Sequence, residues 1–374
     1  MKAAFASLAV VLGALAGSAV AKDSESTAQQ KTPRVEVVFV LDTTGSMGGL
    51  LEGAKKKIWS ISTEILAGKP KPDVFVGLVA FRDKGDAYVT KTTPLTDDLD
   101  KIYKELQGFQ PGGGGDGPEN VRAGLDEALS KIQWSADKTT LKIVFLVGDA
   151  PAHTDYQDVP TLEELCTKAV KSDVIINTVL CGGDHEAEKM WKDIARRSEG
   201  KFFAIEQTGG VVAIATPYDK ELGEMNDKLA GTMVAFGKKD ARAGAAAREK
   251  DSEGLAGSDK ADRACAKAYA GRYSSDDLVD ALKENRADLS KIANEELPEE
   301  MQKMSAEERR AFVEKKAKER EELRTKAIEL ARKRDAFLAE EAKKRGDTKD
   351  GFDKVAVEAL AEQAKKKGFE ISCK

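Results

Sequence analysis

Asp42, Thr44 and Ser46 put a carboxylate and two hydroxyls at alternate positions of the segment DTTGS, directly after the apolar run at 35–41. Oxygen donors in this pattern suit a hard divalent cation. Magnesium takes about six oxygens, usually with few carboxylates and several waters. A plainer reading is also open, in which Thr44 or Ser46 caps the following helix and Asp42 shapes the turn. Other chemistries lack their parts. The stretch PGGGGDGPE at 111–119 is rich in glycine, but there is no Gly-Lys-Ser/Thr and no Gly-x-Gly-x-x-Gly opening on a strand, so phosphate binding is weakly supported. There is no Gly-x-Ser-x-Gly elbow, no Cys-x-x-Cys pair, and the histidines are His153 and His185 alone.

The elements that must carry these residues follow from periodicity. Residues 35–41 are β-branched and apolar at nearly every position, which suits a parallel strand covered on both faces. The carboxyl edge of such a strand is where open α/β sheets bind ligands. Leu51, Ala54, Ile58, Ile61 and Ile65 keep helical spacing over 50–66, and Gly68 with Pro70 and Pro72 ends that helix. Residues 74–81 and 88–92 read as two further strands joined by Arg82-Asp83-Lys84-Gly85-Asp86, which has hairpin chemistry. If the second strand runs parallel to the first, this tip shares the edge of Asp42. A helix at 97–106 follows, then the four glycines at 112–115. Pro118 fits the first position of a helix reaching 132, with Glu119 at its positive end. The strand at 141–147 runs out into Asp149. Helices at 162–170 and 186–197 then alternate with strands at 174–180 and 201–205, and a closing helix starts at Val211. Trp59, Trp134 and Trp191 sit in or at the ends of helices as core residues. The alternation predicts an α/β fold, a doubly wound and mostly parallel sheet flanked by helices.

The motif Asp-x-Thr-Gly-Ser-Met at 42–47 resembles the metal-site signature of von Willebrand factor type A domains, Asp-x-Ser/Thr-x-Ser. The resemblance extends over roughly residues 33–230. It implies a Mg²⁺ site, or one for another divalent cation such as Ca²⁺ or Mn²⁺, that engages a partner's acidic group. It also implies two further ligand loops. In the first of them the family usually offers a Thr, and here the matching polar residue is Asp116, with Glu119 as the fallback; Asp149 fills the last. The implied ligand set is Asp42, Thr44, Ser46, Asp116 and Asp149. Arg82, Asp83, Glu119, His153 and Tyr156 would rim it. His153 is chemically able to act as a ligand or general base, but base rates favour the rim role.

The rest of the chain sets the context. Of 374 residues, 41% are hydrophobic and 33% charged, and the 65 acidic residues nearly balance the 60 basic ones, which gives no case for nucleic-acid binding. Residues 1–21 have the lysine, apolar core and Ala19-Val20-Ala21 site of a cleavable secretory signal, so a secreted or periplasmic protein with no later membrane span is expected. The expected divisions are a leader at 22–32, the A domain at 33–235, a linker at 236–264 poor in large apolar residues, and an all-helical region at 265–374. Ser305 to Glu308 forms a capping box for a long helix to about 344, in which lysines and arginines interrupt any coiled-coil seam. Four cysteines in an exported chain suggest two disulfides with three possible pairings, of which the local one, Cys166–Cys181 and Cys265–Cys373, is preferred. The expected function is a secreted, metal-dependent binding or adhesion protein, not an enzyme, engaging an unknown protein or extracellular ligand through its metal. Two rivals stay open: a metal-assisted hydrolase or phosphatase built on Asp42, and a metal-free scaffold acting through the helical tail.

Overall fold

A computed structural model describes residues 32–205, 214–344 and 351–371. The signal, nearly all of the leader, the helix start at Val211 and Cys373 lie outside the described residues. Thr32–Lys374 is one compact unit. Its centre is a six-stranded sheet of β1 (Arg34–Asp42), β2 (Asp73–Phe81), β3 (Thr90–Thr96), β4 (Leu141–Gly148), β5 (Val174–Cys181) and β6 (Phe202–Ile205). The strand order is β3-β2-β1-β4-β5-β6, all parallel except β3. β1 thus lies in the middle, with β2 on one side and β4 on the other.

The alternation of side chains along β1 feeds two separate cores. Val37, Phe39 and Leu41 face α1 (Leu51–Leu66) and α2 (Leu99–Gly108), while Val38 and Val40 face α3 (Val121–Ser130), α4 (Leu162–Lys171) and α5 (His185–Arg197). Every residue from Val37 to Leu41 is buried, as a strand covered on both faces requires.

Several local expectations shift by physical cause. The third strand starts at Thr90, because Tyr88 is used in the turn, its hydroxyl 2.7 Å from Thr43 Oγ1. Pro94 is tolerated in β3 because that strand is the sheet edge. The third helix begins at Val121, capped by Asn120, whose side chain accepts from the Ala123 N–H. Pro118 and Glu119 therefore precede the helix, and Glu119 bridges to Ala152 in a parallel pairing.

The remaining helices are α6 (Asp219–Ala230), α7 (Lys239–Glu253), α8 (Gly257–Ala270), α9 (Leu278–Lys283), α10 (Glu299–Gln302), α11 (Ala306–Lys344) and α12 (Gly351–Lys366). The segment expected to be a linker is largely helical. Its alanines let α8 approach closely, so that Ala261, Ala264 and Ala268 pack with Leu222 and Met225 of α6 and with Ala327, Leu330 and Ala331 of α11. The apolar positions of α11 are thereby filled within the chain. The capping box at its start is present, with the Glu308 N–H donating to Ser305 Oγ and the Ser305 N–H to Glu308. α12 lies back on the sheet, where Ala356, Ala359, Leu360 and Ala364 join the core of β1 and α1. The Cys166–Cys181 disulfide is not formed. Both thiols are free and buried, Cys166 in the core under α3 to α5 and Cys181 in the core on the opposite face of the sheet. A helix and the strand that follows it can bring two cysteines near in sequence while the sheet itself separates them. Cys265 is buried in α8.

Candidate metal centre

Asp42 ends β1 and Asp149 lies just past the end of β4, the neighbouring strand, so two carboxylates meet where the strand order reverses. Asp42 is fully buried. Its Oδ1 accepts from the backbone N–H of Thr44 at 2.9 Å and from the Thr44 hydroxyl at 2.7 Å. The Thr44 and Ser46 hydroxyls are 3.1 Å apart, and Ser46 Oγ donates to Asp149 Oδ1 at 2.9 Å. The turn of 3₁₀ helix at Gly45–Gly49 sets this spacing. No side-chain cap is made at its start by Thr44, so the hydroxyl is committed to the carboxylate group and not to capping. Gly148 is needed here, since a Cβ on it would come within 2.9 Å of Asp42 Cβ and 3.0 Å of Asp42 Oδ2.

The arrangement is electrostatically uncomfortable without a cation. Asp42 Oδ2 is buried with no hydrogen-bond partner. Burial, and then the charge of Asp149, push the Asp42 carboxyl up to about 7 against the hydrogen bonds from Thr44. Burial also raises Asp149, with the Ser46 hydroxyl opposing. Glu119 joins the same group. Its Oε1 packs beside Thr44 over Gly114, its Oε2 is buried and unpartnered, and burial together with Asp42, Asp83 and Asp86 pushes it up to about 8. Gly114, at φ +74°, gives it room, because a Cβ there would lie 2.9 Å from Glu119 Oε1. A hard divalent ion would satisfy these bare carboxylate oxygens, and the donors present (carboxylates and hydroxyls) are of the type it takes.

Asp116 is brought to His153. Its Oδ1 lies 3.5 Å from His153 Nε2, and Asp83 Oδ2 lies 3.6 Å from the same nitrogen. Of the expected rim, Tyr156 donates its hydroxyl to both oxygens of Asp83 at 2.9 Å and stacks on His153 with ring centres 4.2 Å apart. Arg82 reaches across to the glycine-rich segment, donating to the Gln110 carbonyl at 2.7 Å, and lies over the Tyr88 ring of its own hairpin.

Comparison with known proteins gives the domain its family. Residues 36–216 match the profile described as von Willebrand factor A domain. This part of the chain is a von Willebrand factor A domain. The mouse protein von Willebrand factor A domain-containing protein 7 is 40% identical over 98 residues, which are 26% of this chain and 10% of that protein. The alpha-protein kinase vwkA of Dictyostelium discoideum is 27% identical over 124 residues, 33% of this chain and 19% of its own length. Bovine N-acetyltaurine hydrolase is 32% identical over 92 residues, 24% of this chain and 25% of that one. The matches therefore span a quarter or less of these relatives. Among solved structures, the SpRpn10 VWA domain aligns over 47% of this chain and 89% of its own, with 16% identity and a TM-score of 0.37. A domains generally serve as interaction modules and often bind a divalent metal.

Within the A domain, the sequence offers both Asp116 and Glu119 for the loop next to Asp42, with Asp116 first. The signal that separates them is Asn120. As a helix cap it ends the loop one residue after Glu119, so the bridge to Ala152 turns that side chain toward Thr44.

Proposed function

We propose that this is a secreted, metal-dependent binding module, in which Asp42, Thr44, Ser46 and Asp149 hold a divalent cation such as Mg²⁺ and Glu119 stands beside them. The observation that carries the reading is the buried, unpartnered Asp42 Oδ2 at the meeting of β1 and β4. A buried carboxylate oxygen without a partner is costly unless a cation meets it. Bound there, the ion would supply a positive centre for an acidic group of a protein or extracellular partner. The chain's own residues shape the approach. Ser46, Asp149, Gly182, Gly183 and Asp184 line a cleft open to solvent beside the site, through which a partner's side chain would enter. Export is supported by the signal pattern at 1–21.

The test is retention of binding partners from the native exported fraction by immobilised protein, with Mg²⁺ and with chelator, alongside Asp42→Ala. Partners retained only by the wild-type protein with Mg²⁺ support the reading. Retention indifferent to both chelator and mutation contradicts it.

A further inference from the structure

We propose that Asp83, Asp116 and His153 form a second cation site, of the mixed nitrogen and oxygen type that takes Zn²⁺, separate from the group around Asp42. The three residues come from three different loops: the tip of the β2–β3 hairpin, the glycine-rich segment, and the segment after β4. One ligand atom from each lies within 4.8 Å of the other two.

The two histidine–carboxylate spacings are those of ligands sharing an ion and not of hydrogen bonds. His153 Nε2 is buried and has no hydrogen-bond partner, yet two carboxylate oxygens approach it to 3.5 and 3.6 Å. Those distances are long for N–H···O bonds. Zinc–nitrogen and zinc–oxygen bonds of about 2.0–2.2 Å give tetrahedral edges of roughly 3.3–3.6 Å. The orientation of the imidazole is set from behind. Nδ1 lies 2.9 Å from Asp155 Oδ1, which holds the proton on Nδ1 and leaves the Nε2 lone pair facing Asp83 and Asp116. The stacked Tyr156 ring fixes the plane of the imidazole, and its hydroxyl holds both Asp83 oxygens. His153 is 9% exposed and Asp83 7%, whereas Asp116 is exposed and gives an ion its way in.

Three protein ligands with a position left open suit zinc, and the imidazole disfavours magnesium, which prefers oxygen. The loops of the two sites touch through backbone bonds alone, the backbone N–H of His153 donating to the Glu119 carbonyl at 3.0 Å and that of Glu119 to the Pro151 carbonyl at 2.9 Å.

The experiment is calorimetric titration of the untagged full-length protein with Zn²⁺ in saturating Mg²⁺, with Co²⁺ absorption as the spectroscopic readout. The wild-type protein should bind one equivalent of Zn²⁺ that Mg²⁺ does not displace, and Co²⁺ should give the visible bands of a tetrahedral site. His153→Gln and Asp116→Asn should each weaken Zn²⁺ binding tenfold or more and remove the bands, while Asp42→Ala leaves both unchanged. Asp116 is exposed, so its variant reads the site even if His153→Gln folds poorly. No Zn²⁺ binding by the wild-type protein in Mg²⁺, or undiminished binding by Asp116→Asn, would overturn the proposal.

Discussion

Among single residues, Asp42 bears a large electrostatic load at the site. Its folded pKa, pushed up to about 7, exceeds the ordinary aspartate value of 3.8. In the metal-free protein the native state therefore holds a proton that the unfolded chain has released between those two values. The stabilisation from this group is fully present below about pH 4 and is lost as pH rises through about 7. Between pH 5 and 8 the loss from this group is on the order of 2–3 kcal/mol. Glu119, pushed up to about 8, acts in the same direction. Thermal or urea unfolding in chelator should thus show lower stability at pH 8 than at pH 5, and Mg²⁺ should restore it at pH 8. Asp42→Asn should reduce the slope and leave the part due to Glu119. A metal-free protein equally stable at both pH values would contradict the electrostatic account. Much of this group was legible in the sequence, because DTTGS follows a strand of evident type and Asp149 follows another. The partition of Asp116 and Glu119 between two clusters was not, since four consecutive glycines carry no register and the direction of each side chain depends on loop pairing.

At the scale of elements, α8 is the part the sequence hid. Its alanines and charges read as a loose segment, yet Arg263 is buried and bonds bidentately to Asp100 of α2 at 2.7 and 2.9 Å, with Glu249 of α7 at 3.0 Å and Asn226 of α6 at 2.7 Å. Lys267 adds a second cation 2.8 Å from Asp100. A composition of small and charged residues marks a linker only when the charges stay solvated, and pairing across four helices is invisible to periodicity. Burial alone would raise the Asp100 carboxyl, but Lys267 and Arg263 hold it well below the usual carboxylate range. This contribution is present above the unfolded value near 4 and is lost as pH falls below it. Asp100→Ala should cost about 3–5 kcal/mol, because it leaves buried cations unpaired. Asp100→Asn should flatten the acid limb of the stability profile between pH 4 and 2. A loss under about 1 kcal/mol in Asp100→Ala would show that water replaces the carboxylate freely.

For the whole molecule, the helical region is built into the A domain. α12 completes the cover over β1 and α1, with Leu360 fully buried and Gln363 bonded to Asn177 of β5 at 3.0 and 3.2 Å. The sequence predicted the helices but could not show where they dock, because an amphipathic stripe does not name its partner. Leu360→Ala should lower stability by about 2–5 kcal/mol through the cavity it leaves. Unfolding of the full chain should be a single transition, whereas a separate early transition for the C-terminal helices would contradict this packing. The central claim is that Asp42 and its neighbours form a divalent-metal site on a fold that stands without it. Calorimetric titration of Mg²⁺ into the wild-type and Asp42→Ala proteins at pH 8 tests it most directly. The wild-type protein should give a saturable isotherm and a folded Asp42→Ala none. Equal Mg²⁺ affinity in the two folded proteins would contradict it.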